Sequence, residues 1–253
     1  MDAAFRPCVV IPTYDNPRTI AEVARRVRAH VPDVIVVDDG SAADNRAAVL
    51  ELANAGLVVR VRRDVNGGKG AAVLDGLHEA LRRGFTHAVQ VDADLQHDTD
   101  DVPTLLAAAR ERPEALVLAA PRFDETAPRA RLIGRRITVF WTDIEAGRGV
   151  IEDPMCGFRV YPLTTATTTR VVGRRMDFDI EIAVRMVWAG VPVVNLPTRV
   201  RYVPAAQGGI SHFAMFGDNM RISWMHTRLM HVVIFWRLPM RFMKWLRRRW
   251  AGG

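Results

Sequence analysis

The chain is poor in cysteine and lysine and has no long apolar run. Its 253 residues hold only two cysteines, Cys8 and Cys156, far apart in the sequence. Two isolated thiols exclude a disulfide scaffold and a zinc site, and they point to a reducing, cytoplasmic setting. Lysine occurs twice among 35 basic residues, and one of the two, Lys69, sits inside Gly67-Gly68-Lys69-Gly70. Internal repeats and low-complexity linkers are absent, and the N-terminus shows no signal-peptide apolar core. In the basic C-terminal part, no uncharged segment reaches the roughly 18 residues that a spanning helix needs. An apolar content of 49% supports one large α/β domain followed by a tail.

Four short apolar runs occupy the first part of the chain: Cys8–Tyr14, Val34–Val37, Leu57–Val61 and His87–Val91. Between them apolar residues recur at helical spacing. Ile20, Val23, Ala24 and Val27 form one set, and Val49, Leu50, Leu52 and Ala53 the next. Ala72, Val73, Leu77, Ala80 and Leu81 form a third. Continuous apolar strands alternating with helices of about a dozen residues predict βαβ units and a mostly parallel sheet. Ligands of such sheets bind beyond the carboxyl ends of the strands.

Polar residues cluster where those ends fall: Thr13-Tyr14-Asp15-Asn16, Asp38-Asp39-Gly40-Ser41 and Asp92-Ala93-Asp94. Strands that needed only to turn would favour Gly, Asn and Pro over this repeated acidity. Side chains alternate along a strand, so Asp92 and Asp94 point the same way if the strand stays extended through them. Paired carboxylates repel unless a cation sits between them. A hard ion such as Mg²⁺ or Mn²⁺ takes oxygen ligands and completes its shell with water and substrate phosphates. The pattern predicts a metal–diphosphate site, although an Asp-x-Asp alone is a weak signal because exposed loops carry such pairs by chance. Around Lys69 the glycines would let the backbone approach an anion at the start of a helix. A loop followed by a solvated helix cap explains the same residues.

Taken together, Val10–Tyr14, Val36–Ser41, Asn66–Ala72, Asp92–His97 and Cys156–Arg159 resemble the family 2 glycosyltransferases, over roughly residues 7 to 213. Within that family the likeness is to the dolichyl- and polyprenyl-phosphate sugar synthases, for which Asp-Ala-Asp-Leu-Gln-His is typical. The resemblance implies the GT-A fold and inverting transfer of one sugar from a nucleotide donor, UDP- or GDP-linked. It implies that Pro12, Tyr14 and Asp39, with Asp15 beside them, hold the nucleoside. Asp92 and Asp94 match the metal and donor carboxylates, Gln96 a further metal ligand, and Lys69 and Arg159 donor contacts. Cation-assisted neutralisation of a departing nucleoside diphosphate fits that chemistry.

The second half is less regular. Arg129, Arg131, Arg135 and Arg136 precede Ile137, Val139, Phe140 and Trp141, an amphipathic segment that either lies on a membrane or covers the donor. Asp153, Asp177 and Asp179 are the candidate catalytic carboxylates. Glu181 matches a family glutamate, but acids in a first helical turn are also favoured by the helix dipole. One departure matters. Where the polyprenyl-phosphate synthases usually show Arg-x-x-Gly-x-Ser-Lys, this chain reads Ala206-Gln207-Gly208-Gly209-Ile210-Ser211-His212. Ser211 and His212 remain candidate phosphate contacts, His212 with a charge that depends on pH near neutrality. A phosphate acceptor needs no general base, whereas a hydroxyl acceptor usually does. The altered clamp weakens the case for a phospholipid-type acceptor and leaves the acceptor's reacting group open.

Charge divides the chain unevenly. Residues 213–253 hold eight basic residues against one acid, Asp218, so this segment carries the whole net charge of +7. From Pro239, Phe242, Met243, Leu246 and Trp250 fall on one helical face, and Arg241, Lys244 and Arg248 on the other. Such a helix suits a membrane interface with anionic lipid. Packing on the domain, or homo-oligomer formation through the tail, would use the same face. The acidic sheet edge argues against nucleic acid as a partner.

The expectation is therefore a GT-A glycosyltransferase domain, residues 1–212, and a basic amphipathic helical tail, residues 213–253. The chain would use Mg²⁺ or Mn²⁺, with a lipid or lipid-linked acceptor, as a peripheral protein on the cytoplasmic face of the inner membrane. A soluble hydroxyl acceptor, a nucleotidyltransferase and a non-catalytic membrane scaffold are the alternatives.

Overall fold

The computed structural model describes residues 4–122, 129–199, 215–240 and 243. Its strands are β1 (Pro7–Thr13), β2 (Val34–Asp39), β3 (Val59–Arg63), β4 (His87–Gln90), β5 (Leu116–Arg122), β6 (Arg159–Pro162) and β7 (Val193–Arg199). The helices are α1 (Ile20–Arg28), α2 (Ala43–Asn54), α3 (Lys69–Arg82), α4 (Val102–Glu111), α5 (Arg129–Ala146), α6 (Leu163–Thr168), α7 (Phe178–Trp188) and α8 (Met215–Val232). A short π-helical turn, Val233–Arg237, continues α8.

The strands form one sheet in the order β3-β2-β1-β4-β6-β5-β7. The four strands expected from the apolar runs are mutually parallel, β6 is antiparallel to both neighbours, and β5 and β7 are parallel. Helices cover both faces, which explains why β1 and the body of β2 are continuously apolar, whereas the edge strand β3 carries Arg60, Arg62 and Arg63. In β1, Cys8 and Val10 face one core while Val9 and Ile11 face the other, and β2 divides Ile35 and Val37 from Val34 and Val36 in the same way. One core is closed by α3, α6, α7 and α8, the other by α1, α2 and α4.

Two local expectations shift. The third strand begins at Val59 rather than Leu57, because the Leu57 N–H donates to Leu52 O in closing α2 around Gly56 at φ 69°. Leu50 and Leu81 are exposed, and Val49, Leu52, Leu77 and Ala80 carry the buried faces of their helices.

Beyond residue 212, α8 lays Ile222, Met225 and Leu229 into the same core as α3 and α7. No helix among the described residues is long and apolar enough to cross a membrane. The amphipathic segment from Pro239 lies largely outside the described residues.

Candidate active site

The carboxyl ends of β1, β2 and β4 meet on one edge of the sheet, and their loops are stitched together. Asn45, buried on α2, accepts from Thr13 Oγ1 at 3.3 Å and from Asn16 N at 3.0 Å. Asp15 N donates to Ser41 Oγ at 3.1 Å, and Asp15 Oδ1 receives Ala42 N at 2.8 Å. Asp15 adopts φ 50°, a left-handed conformation that asparagine and aspartate tolerate better than most residues. Pro12 is buried inside β1, while Tyr14 is exposed just beyond its end.

Asp39 points into the glycine loop instead of outward. Its carboxylate takes Gly67 N at 2.9 Å and Gly68 N at 2.8 Å, with Arg63 Nε 2.8 Å from Oδ1. Burial outweighs these three partners and raises its pKa. Gly68 has φ 97°, and a Cβ there would meet Arg174 O at 2.7 Å. Ala71 N donates to that same carbonyl at 3.0 Å. The loop before α3 is thus held from both sides, and α3 starts at Lys69.

At β4 the strand ends at Gln90, and the chain turns through Asp92–Leu95, with Leu95 at φ 63°. The extended run through both aspartates is therefore not what forms; a turn, not strand alternation, gathers them. Lys69 Nζ lies 2.8 Å from Asp92 Oδ2 and 2.9 Å from Asp179 Oδ2. Burial of Lys69 is outweighed by Asp179 and Asp92, which keep the ammonium firmly protonated. Burial would raise Asp92, but Lys69 and His97 overcome it and hold this carboxyl below the usual carboxylate range. Asp94 is pushed up, by burial first and by the Asp92 charge second. Gln96 enters through its backbone, its N–H donating to Asp94 Oδ1 at 3.0 Å.

Asp92 Oδ1 is buried and has no hydrogen-bond partner among the described residues. A charged oxygen without a donor, next to a second carboxylate that burial and repulsion disfavour, is the donor set a hard divalent cation fits. Among the described residues no cluster of three or more His, Cys, Asp or Glu forms. Asp92 and Asp94 would therefore hold such an ion with ligands from outside the side-chain set, as Mg²⁺ typically does.

The remaining candidates fall into two groups. Asp179 belongs to the floor of the site: Gln90 Nε2 donates to its Oδ1 at 3.2 Å, and Tyr161 Oη donates to Gln90 Oε1 at 3.0 Å. Arg159 is a correction. It is fully buried, and its guanidinium donates to the carbonyls of Asp179 at 2.7 Å and Pro154 at 3.2 Å and to that of Cys156. No face is left for a donor, so Arg159 braces the loop before β6 against α7. Asp153 is bound by Arg135, whose Nη2 donates at 2.7 Å, and it also takes Met155 N and Cys156 N, both at 2.9 Å. Asp177 accepts Arg175 N at 3.0 Å and is almost buried. Ser211 and His212 lie outside the described residues.

Sequence reasoning passed over three participants. His97 Nε2 lies 3.6 Å from Asp92 Oδ2, and its ring centroid is 5.2 Å from that of Phe158. Gln90 was an uncharged polar residue inside an apolar run, the only signal it offered. Gly157 packs so closely that a Cβ would stand 2.5 Å from Lys69 Nζ and 2.6 Å from Asp92 Oδ2.

A mixed sheet with this acidic edge is the architecture of nucleotide-sugar transferases of the GT-A fold. Glucosyl-3-phosphoglycerate synthase from Mycobacterium tuberculosis, crystallised with Mn²⁺, uridine diphosphate and phosphoglyceric acid, superposes with a TM-score of 0.70. That match covers 90% of this chain and 79% of the other at 16% identity, a likeness of fold alone. The chain belongs to glycosyl transferase family 2, whose profile matches residues 8–162, and it is a glycosyltransferase. A polyprenol monophosphomannose synthase of Mycolicibacterium smegmatis is 30% identical over 226 residues, 85% of this chain and 83% of its own length. An undecaprenyl-phosphate mannosyltransferase of Micrococcus luteus is 28% identical over 211 residues, 76% of this chain and 82% of its own.

Proposed function

We propose that this glycosyltransferase moves a sugar from a nucleoside-diphosphate donor to the phosphate of a polyprenyl-type lipid, with inversion at the anomeric carbon, and that it works at the cytoplasmic face of the inner membrane. The relatives named for polyprenol and undecaprenyl phosphate support the acceptor class. In the reaction an acceptor phosphate oxygen bonds to the anomeric carbon as that carbon's bond to the nucleoside diphosphate breaks. The nucleoside diphosphate leaves with the electron pair.

The observation that carries the reading is the engagement of every candidate base. Asp153 is paired with Arg135, Asp179 with Lys69, and Asp177 accepts a backbone N–H while nearly buried. A hydroxyl acceptor would want one of these free. An acceptor phosphate is already anionic at neutral pH and needs none.

Asp92 and Asp94 would hold Mg²⁺ or Mn²⁺, which supplies charge neutralisation at the leaving diphosphate. Asp39 fixes the glycine loop by taking the Gly67 and Gly68 N–H groups, which sets Lys69 at the start of α3 beside Asp92. Tyr14 and Asp15 flank the place where the nucleoside would sit, and Pro12 supports them from within β1. Lys69 stabilises the charged form of Asp92 from below, and Gln96 orients Asp94 through its N–H.

The test is a transfer assay with UDP- and GDP-linked hexoses and a short-chain polyprenyl phosphate. A glycosyl-phosphate lipid plus free nucleoside diphosphate is the expected product pair. Glycosylation of the dephosphorylated polyprenol alone would sink the reading.

A further inference from the structure

Two neighbouring helices carry exposed apolar side chains. On α5, Ile133, Ile137, Phe140, Trp141 and Ile144 recur at the spacing of one helical face, and Ile133 and Phe140 are 58% and 59% exposed. The opposite face of α5 buries Thr138, Thr142 and Glu145. On α8, Phe216, Met220 and Trp224 succeed one another every four residues, with Phe216 83% exposed, while Ile222, Met225 and Leu229 enter the core. The π-helical turn adds exposed Ile234, Phe235 and Trp236.

These helices touch. His226 Nδ1 of α8 lies 2.8 Å from Glu145 Oε1 of α5, and the Trp141 and His226 ring centroids are 6.5 Å apart. Each exposed stripe lies across its helix from the buried face, so the two stripes run outward side by side. Isolated exposed apolar residues are ordinary on a protein surface, but a contiguous aromatic-rich face marks an interaction site.

The charges around the face say what covers it. Arg136, Arg148 and Arg221 are exposed on or next to these helices. The acids are turned away: Glu145 is buried against His226, Asp218 is buried 3.0 Å from Arg221, and Asp143 takes the Gly149 N–H at 2.9 Å. Further along the chain come Arg241, Lys244, Arg247, Arg248 and Arg249, with no acid after Asp218. An apolar, aromatic face rimmed by arginine suits the interface of an anionic bilayer. A second copy fits poorly, because a two-fold contact sets the same arginine-rich patch against itself.

We propose that α5 and α8 together form the docking face for an anionic lipid surface, which makes α5, inside the family-matched domain, a membrane-contact element in its own right. The proposal deepens the reading of a lipid-borne acceptor and rests on it. It also relates that surface to the site: Arg135, on α5, holds Asp153, and Asp153 organises the loop that ends at Gly157 over the Lys69–Asp92 pair.

The experiment is co-sedimentation of the full chain with phosphatidylglycerol-containing vesicles and with pure phosphatidylcholine vesicles. The wild type should bind the anionic vesicles, bind the neutral ones several-fold less, and lose binding as salt rises. Ile137→Asp combined with Phe140→Asp should cut the bound fraction about tenfold or more while the circular dichroism melt stays close to wild type. If that pair fails to fold, Ile137→Ser with Phe140→Ser gives the same comparison. Wild-type levels of vesicle binding by a folded α5 variant would overturn the proposal. So would a lipid-free wild-type dimer that the same substitutions split into monomers. Transfer to a short-chain, water-soluble polyprenyl phosphate separates the two readings: it should survive in the α5 variant, and its absence in the wild type would count against the acceptor and not against the docking face.

Discussion

At Gly157 one methyl group is enough to disturb the candidate site. An alanine Cβ there would sit 2.5 Å from Lys69 Nζ and 2.6 Å from Asp92 Oδ2, so the ion pair must part or the loop must move. Gly157→Ala is expected to lower kcat/KM by roughly a hundredfold, about 2.7 kcal/mol of transition-state stabilisation, and to lower the thermal melt as well. Lys69→Met removes the cation between the buried Asp179 and the half-buried Asp92 and should cost about 3 kcal/mol of stability. Added Mn²⁺ should restore part of the lost melting temperature in that variant, because a cation at Asp92 relieves the same repulsion. Thermal melts of both proteins with and without Mn²⁺ check this. The two thiols give a simpler check. Burial pushes Cys8 and Cys156 up to about 12, so neither should react with a disulfide reagent at pH about 8 until the protein is unfolded.

Among individual residues, the readable ones were those whose type is costly out of place. Asp92, Asp94 and Lys69 stood out because charge next to apolar strand or glycine loop demands a partner. Arg159 misled because sequence does not tell a cation reaching a ligand from one that ties carbonyls together inside the protein. Gly157 and Gln90 stayed hidden, since close approach and buried hydrogen bonds exist only once β4, β6 and α7 are assembled.

Elements were legible where period and burial agree. α1 buries Ile20, Val23, Ala24 and Val27 as its spacing requires, and the four parallel strands fall at or within two residues of the apolar runs. The antiparallel placement of β6 was not legible, because a short strand buried on both faces reads the same in either direction. Two further predictions belong at this scale. α3 crosses β1 and β2 closely enough that a Cβ on Gly76 would stand 2.4 Å from Val10 Cγ1. Gly76→Ala should therefore destabilise the fold by about 1–3 kcal/mol through overpacking, measurable by urea unfolding.

The junction of β4 with α4 titrates. His87 accepts from Thr86 Oγ1 at Nδ1 and donates through Nε2 to Pro113 O, both at 2.9 Å. Burial lowers its pKa from 6.5. The neutral ring is the form that fits, so its contribution is complete above the unfolded value and is lost as pH falls through the lowered folded one. The urea midpoint should drop as pH falls below about 6.5, and His87→Gln should flatten that drop.

For the whole molecule, the exposed stripes of α5 and α8 add to the charge asymmetry of the sequence. The sequence showed basic charge gathered beyond residue 212. It could not show that α8 packs its inner face on the domain and leaves Phe216, Met220 and Trp224 outward beside α5, because that pairing depends on the Glu145–His226 contact. On the proposed function, the acidic edge would meet the water-soluble donor and the apolar face the bilayer that carries the acceptor.

The central claim is that Asp92 and Asp94 hold a divalent cation which in turn holds the donor's diphosphate. Calorimetry of UDP and GDP against the wild type and Asp94→Asn, each with and without Mn²⁺, tests it most directly. The account predicts binding of one nucleotide that depends on Mn²⁺ and weakens about tenfold or more in the variant. Equal affinity in the absence of the ion, or in the folded variant, would contradict it.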